Sequence, residues 1–107
     1  MRRGDIVTIA LQGDHGKPRP ALIVQADPFQ DSTHVALLPL TTFVADAPLM
    51  RIPLHATPET GLTKQSFAML DRITTASREK IGGAIGRVDD LTMVEVNRAL
   101  AVFLGLA

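Results

Sequence analysis

Four polar side chains crowd a short stretch near the N-terminus: Asp14, His15, Lys17 and Arg19. The turn formers Gly13, Gly16 and Pro18 lie among them, so the stretch is a loop and its polar groups are neighbours. Arg19 precedes Pro20 and the apolar run Ala21-Leu22-Ile23-Val24, which has the character of a buried strand. A guanidinium carried at the start of a rigid strand can grip a phosphate through two parallel N–H donors. The alternative is a salt bridge to a nearby carboxylate. Two further positions have chemistry to offer. Thr41 and Thr42 close the apolar run that begins at Val35; ordinary strand-end hydrogen bonding is the plainer use of their hydroxyls. Asp71 ends the apolar stretch Phe67-Ala68-Met69-Leu70, where its carboxylate either faces a groove or caps the following turn.

Other chemistries find little support. The chain has no Cys, which removes thiolate catalysis, disulfides and Cys-based zinc sites. His15, His34 and His55 are far apart and lack metal-ligand spacing, so no metal or other cofactor is expected. Gly82, Gly83 and Gly86 do not have the spacing of a phosphate-cradling loop, and no Ser stands in a Gly-x-Ser-x-Gly turn. Eleven Lys and Arg balance eleven Asp and Glu, so any site for a polyanion must be a local cluster of cations. No apolar run approaches the ~18–20 residues needed to cross a bilayer, and the Met1–Asp5 start has no apolar leader, so a cytoplasmic protein is expected.

The elements that position these residues are short. With 107 residues, 46% of them apolar, one domain over residues 1–107 is expected. Strands are expected over Asp5–Leu11, Ala21–Val24, Thr33–Leu40, Met50–Leu54 and Ser66–Asp71, with a closing strand in Gly82–Val88 and one helical turn at Ser77–Lys80. Pro39 cannot donate to a ladder and is expected at an edge, a bulge or a strand end. Asp89 or Asp90 then caps a final helix, whose apolar stripe is Met93, Val96, Leu100 and Phe103, with Gly105 just beyond its end. The sum is a mainly β, α+β domain: a small antiparallel sheet that hides its edges by curling into a barrel, with a C-terminal helix.

The order of several short motifs resembles the MazF/PemK family of toxin endoribonucleases. Arg3-Gly4-Asp5-Ile6-Val7, a Gly-containing loop and Arg19-Pro20-Ala21-Leu22-Ile23-Val24 are similar to the family's opening. Leu38-Pro39-Leu40-Thr41-Thr42 is similar to its third-strand end. Gly61-Leu62, Ser66 and the segment through Asp71-Arg72-Ile73 to Thr75 follow in order, then Ile85-Gly86-Arg87-Val88 before the final helix. The resemblance runs over nearly the whole chain. It implies the SH3-like antiparallel barrel of the CcdB/PemK toxin fold, a homodimer, and pairing with a cognate antitoxin.

The resemblance also implies a reaction: metal-independent, sequence-specific cleavage of single-stranded RNA by 2′-hydroxyl attack, leaving a 2′,3′-cyclic phosphate and a 5′-hydroxyl. By that likeness Arg19 stabilises the phosphate and Thr41 donates to one of its oxygens. Asp71 stands at the acidic position that some members use as a base, and His15 at the loop position where some members place a His. The candidates for contacting RNA are Lys17, Thr42, Arg51, Lys64, Ser66 and Arg72. The aromatics available from loops are Phe29 and Phe43. Met69 and Thr74 stand where other members carry basic residues, and Arg72 is the neighbouring cation. Two other functions share the fold. A CcdB-like gyrase poison relies on a Trp-Gly-Ile end, whereas this chain ends Leu104-Gly105-Leu106-Ala107. The third reading is a catalytically inactive relative that only binds antitoxin or RNA.

Overall fold

The computed structural model describes residues 1–10, 17–44 and 50–107. Seven strands precede one helix: β1 (Asp5–Ile9), β2 (Arg19–Ile23), β3 (His34–Thr41), β4 (Arg51–Leu54), β5 (Ser66–Met69), β6 (Thr74–Ser77), β7 (Ile81–Arg87) and α1 (Asp90–Phe103). Three 3-10 turns, at Asp27–Phe29, Leu70–Arg72 and Arg78–Lys80, join neighbouring strands. The antiparallel sheet runs β4-β5-β3-β2-β1-β7, and β6 also pairs with β3.

The long strand β3 organises the sheet. Its middle, Leu37–Pro39, pairs with β2 on one side, and the other side is shared in two halves: β6 opposite His34–Leu37 and β5 opposite Leu40–Thr41. Pro39 falls between those halves, opposite Ala21 of β2. It is therefore buried within a central strand rather than at an edge. The missing N–H is tolerated because neither β5 nor β6 pairs with that residue.

Both faces of the sheet are buried at β1, β2 and β3, which explains why these strands are near-continuous apolar runs rather than alternating ones. Ile6, Leu22, Leu38 and Leu40 face the helix and pack with Leu54, Leu70, Met93, Val96 and Leu100. Val7, Ile9, Ala21, Ile23, Val35 and Leu37 face the other way and pack with Ala76 and Ile81 inside the curl of the sheet. Burying each large side chain contributes roughly 1.5–3 kcal/mol. The curl is not a closed barrel: among the described residues no ladder joins β6 to β7 or β4 to β7. Side chains of the second cluster, together with register shifts between β1 and β7, bend the sheet instead.

β6 is the strand that the polar sequence Thr74-Thr75-Ala76-Ser77 conceals; only Ala76 of the four is buried. The fifth strand ends at Met69, so Asp71 belongs to the 3-10 turn after it. Asp89 caps α1 by accepting a 2.7 Å hydrogen bond from the Thr92 N–H. At the far end Gly105 adopts φ +76°, and the Leu106 N–H donates to the Ala101 carbonyl at 2.7 Å, closing a Schellman motif. Met93, Val96 and Leu100 are buried as expected, but Phe103 is 40% exposed. The stripe therefore stops one turn early, and Val102, Phe103, Leu104 and Leu106 form an apolar end to the helix that faces outward.

Candidate active site

The β2–β3 register brings the strand ends that carry Arg19 and Thr41 to the same end of the sheet. The pairs Ala21↔Pro39, Leu22↔Leu38 and Ile23↔Leu37 fix the ladder, and carrying it two residues further puts Arg19 opposite Thr41. Both residues continue the face that buries Ala21, Ile23, Val35 and Leu37, at the end where that face meets solvent. Arg19 also faces Ile9 of β1, and Thr41 faces Phe67 of β5, which in turn faces Pro53 of β4. One row thus crosses the sheet as Ile9, Arg19, Thr41, Phe67 and Pro53. Beyond Ile9, toward β7, lies an open depression of about 310 Å³ whose walls include Pro18, Lys80 and Ile81.

Thr41 is oriented by its own backbone. The Phe43 N–H donates to Thr41 Oγ1 at 3.1 Å. That bond occupies a lone pair and leaves the hydroxyl hydrogen to donate. A guanidinium on one strand and a donating hydroxyl on the next are groups whose chemistry suits a phosphodiester.

Arg51 lies in the adjacent row, opposite Met69 and on the same face as Phe67 and Pro53. Its Nη1 donates to Asp71 Oδ1 in the turn after β5, and to the Met50 carbonyl at 3.3 Å. Its Nε is buried without a hydrogen-bond partner. Asp71 is thereby committed to a cation two residues from the strand end, rather than capping the following turn with its side chain. Arg72 beside it is exposed.

The remaining expected residues divide. Lys17, Thr42 and Lys64 are exposed, and Thr42 and Lys64 sit at the same end of the sheet as Thr41. Ser66 is 3% exposed, and its hydroxyl donates to the Lys64 carbonyl at 3.0 Å. It is a buried, internally bonded group and does not present its hydroxyl to RNA. This follows from β5 alternation, which turns Ser66 and Ala68 inward and Phe67 and Met69 to the Thr41 face. His15 and Asp14 lie outside the described residues. Among the described residues no group of three or more His, Asp or Glu side chains could hold a metal ion.

A second cleft, of about 200 Å³, lies between the Leu54–Thr60 segment and the start of α1, with His55, Glu59, Arg87 and Asp89 in its walls. None of the expected site residues lines it. Arg87 there donates to Asp5 Oδ1 at 2.8 Å, which ties β7 to β1. The Asp89 carboxyl is held below the usual carboxylate range, chiefly by its side-chain hydrogen bond with Thr92 and then by the Thr92 backbone N–H.

Comparison with known proteins decides the family. Residues 2–104 match the family described as the PemK-like, MazF-like toxin of type II toxin–antitoxin systems. The chain belongs to that family. The probable endoribonuclease MazF of Mycolicibacterium smegmatis is 48% identical over 108 residues, spanning all of this chain and 99% of that protein. The endoribonuclease MazF of Staphylococcus saprophyticus is 32% identical over 114 residues, spanning 99% of this chain and 92% of that one. Among solved structures, an endoribonuclease in complex with its cognate antitoxin from a mycobacterial species superposes with a TM-score of 0.79 at 28% identity, covering 100% of this chain and 97% of that one. The fold is the MazF toxin fold, and the activity that goes with membership is that of an endoribonuclease. The Arg19-Pro20 and Leu38–Thr42 motifs that resemble MazF are the ones that build the Arg19–Thr41 row.

Proposed function

We propose that the chain, as one toxin domain, cuts single-stranded RNA at short sequences without a metal ion, and that Arg19 and Thr41 hold the scissile phosphate. The ribose 2′-oxygen attacks phosphorus while its proton passes to a base. The 2′-oxygen–phosphorus bond forms, and the bond from phosphorus to the 5′-oxygen breaks. The leaving 5′-oxygen takes a proton, giving a 2′,3′-cyclic phosphate and a 5′-hydroxyl. Between these steps the phosphorane carries extra negative charge on its equatorial oxygens. Arg19 and the Thr41 hydroxyl donate to that charge as it develops. The imidazole of His15 is the proton-transfer group of the loop before β2, because imidazole exchanges protons readily near neutral pH. Asp71 serves by holding Arg51. Lys17, Thr42, Arg51, Lys64 and Arg72 contact the RNA backbone.

The observation that supports this reading most is the β2–β3 register, which, continued two residues beyond Ala21↔Pro39, sets Arg19 opposite Thr41 at the open end of the second cluster. The partner is a cognate antitoxin whose acidic or apolar tail covers the same groove, as a disordered segment that folds on binding. The protein acts in the cytoplasm as a homodimer; the outward-facing Val102, Phe103, Leu104 and Leu106 support association with a second copy. No helix is long and apolar enough to cross a membrane.

The test is cleavage of a mixed-sequence synthetic RNA in EDTA. Cutting should persist, and a single 2′-deoxy substitution at the cleaved nucleotide should abolish it. Cutting of the deoxy-substituted strand, or loss of cutting in EDTA, overturns the mechanism. Gyrase-dependent DNA breaks without RNA cutting would favour a poison instead.

A further inference from the structure

We propose that Phe67 is a stacking platform for a base next to the scissile phosphate, an inference that rests on the endoribonuclease reading above. Phe67 faces Thr41 directly in the β3–β5 ladder, so the two side chains share a face on strands about 4.8 Å apart. Pro53 lies on its other side, an apolar flank with no polar side-chain group to compete with a base. Arg19 is one strand beyond Thr41 in the same row. A nucleotide whose phosphate sits between Arg19 and Thr41 therefore has an aromatic surface beside it.

Among the described residues, neither apolar cluster accounts for the ring. Phe67 is half-buried, yet it belongs to neither the helix-side cluster nor the cluster inside the curl. Its strand neighbours Ser66 and Ala68 turn toward the core, and Phe67 turns with Met69 toward the Thr41 face. The chain has no Trp or Tyr and only four Phe. Phe29 lies in the turn before β3, at the end away from Thr41, and Phe103 is on the helix. Phe43 follows Thr41 but is 71% exposed, on a segment outside any strand. A strand-borne ring loses little freedom on binding, which makes Phe67 the better platform. Stacking tolerates any base, so Phe67 adds affinity and registers the chain, and base-edge hydrogen bonds supply the sequence preference.

The cleavage site is first mapped on a mixed-sequence RNA. Oligonucleotides with an abasic residue on either side of that site are then cut by wild type, Phe67→Ala, Phe67→Leu and Phe67→Tyr. Phe67→Ala and Phe67→Leu should each raise KM about tenfold, within the range for one lost base stack, with kcat within about twofold and an unchanged melting temperature for the Leu variant. Phe67→Tyr should cut like wild type. One of the two abasic substitutions should cost wild type about the same tenfold and cost Phe67→Ala nothing more. A Phe67→Leu variant with wild-type KM, or penalties that multiply in full, overturns the inference while leaving the nuclease reading intact. If wild type itself cuts no RNA, both fall together.

Discussion

Arg51 and Asp71 are bound to each other across the end of the sheet, the guanidinium from the start of β4 and the carboxylate from the turn that follows β5. The Asp71 carboxylate is held in one place by this pairing. It fixes a cation on the face that also carries Thr41 and Phe67. The side chains are 16% and 28% exposed, so their coupling is partly screened. Asp71→Asn and Arg51→Ala should each raise KM for RNA several-fold, and the double variant should show a coupling of about 1 kcal/mol in a mutant cycle. Asp71→Asn should leave kcat nearly unchanged, and a loss of about 10²-fold or more in kcat, the usual contribution of a general base, would assign the carboxylate that role.

Gly61 and Gly86, the glycines of two of the family-like motifs, lock the Thr57–Leu62 segment against β7. Gly61 has φ +69°, and a Cβ built there would overlap the Ile85 carbonyl. A Cβ on Gly86 would overlap the Thr60 carbonyl, beside the 2.7 Å bond from the Arg87 N–H to the Glu59 carbonyl. The left-handed conformation costs a non-glycine residue ~1–2 kcal/mol, and overpacking costs ~1–3 kcal/mol. Gly61→Ala should therefore lose about 2–4 kcal/mol in urea unfolding, whereas Gly83→Ala, which meets nothing within 4 Å, should lose far less. Equal losses at the two positions would remove the close-approach explanation.

The Asp89 cap supplies a pH-dependent part of stability. Its carboxyl is depressed in the folded state, mainly through Thr92, and returns to the ordinary range on unfolding. The sign follows: a depressed acid stabilises the fold above its unfolded-state pKa, and that contribution is lost as pH falls through the lower folded value. Thermal melts of wild type and Asp89→Ala should differ at neutral pH and converge in the acid range. A gap that stays constant to the lowest pH at which both fold would assign the stability to something other than the cap's charge.

How much of this was legible beforehand depended on which forces local sequence reports. The final helix was legible because Asp89, the Met93–Leu100 stripe and Gly105 each signal locally. β6 was not, because Thr74 and Thr75 are polar and exposed, and the strand exists only through its pairing with β3. For Pro39 the sequence offers an edge, a bulge or a strand end, since it cannot tell that two different strands divide the same side of β3 and leave a gap opposite that residue. Of the proposed site, Arg19 and Thr41 were visible through their motifs. The burial of Ser66 and the pairing of Asp71 depend on β5 alternation and on where that strand stops. Phe67 was hidden in plain sight within an apolar run. Strict alternation from Ser66 to Met69 was the signal that could have separated it from the core.

The Arg19–Thr41 grip makes the sharpest kinetic demand. If the guanidinium acts on charge that appears in the transition state, Arg19→Ala should lose about 10²–10³ in kcat with a smaller change in KM, the usual loss when one preorganised donor is removed. Arg19→Lys should recover only part, because a point charge cannot reproduce two parallel N–H donors. At Thr41 the needed atom is the hydroxyl hydrogen, released for donation because the Phe43 N–H occupies the oxygen. Thr41→Ser should keep most activity and Thr41→Val should not, although Val is the closer match in shape. The readout is single-turnover cleavage of one mapped oligonucleotide. Full rate in Arg19→Ala, or a Thr41→Val enzyme as fast as Thr41→Ser, would take the phosphate away from this end of β2 and β3.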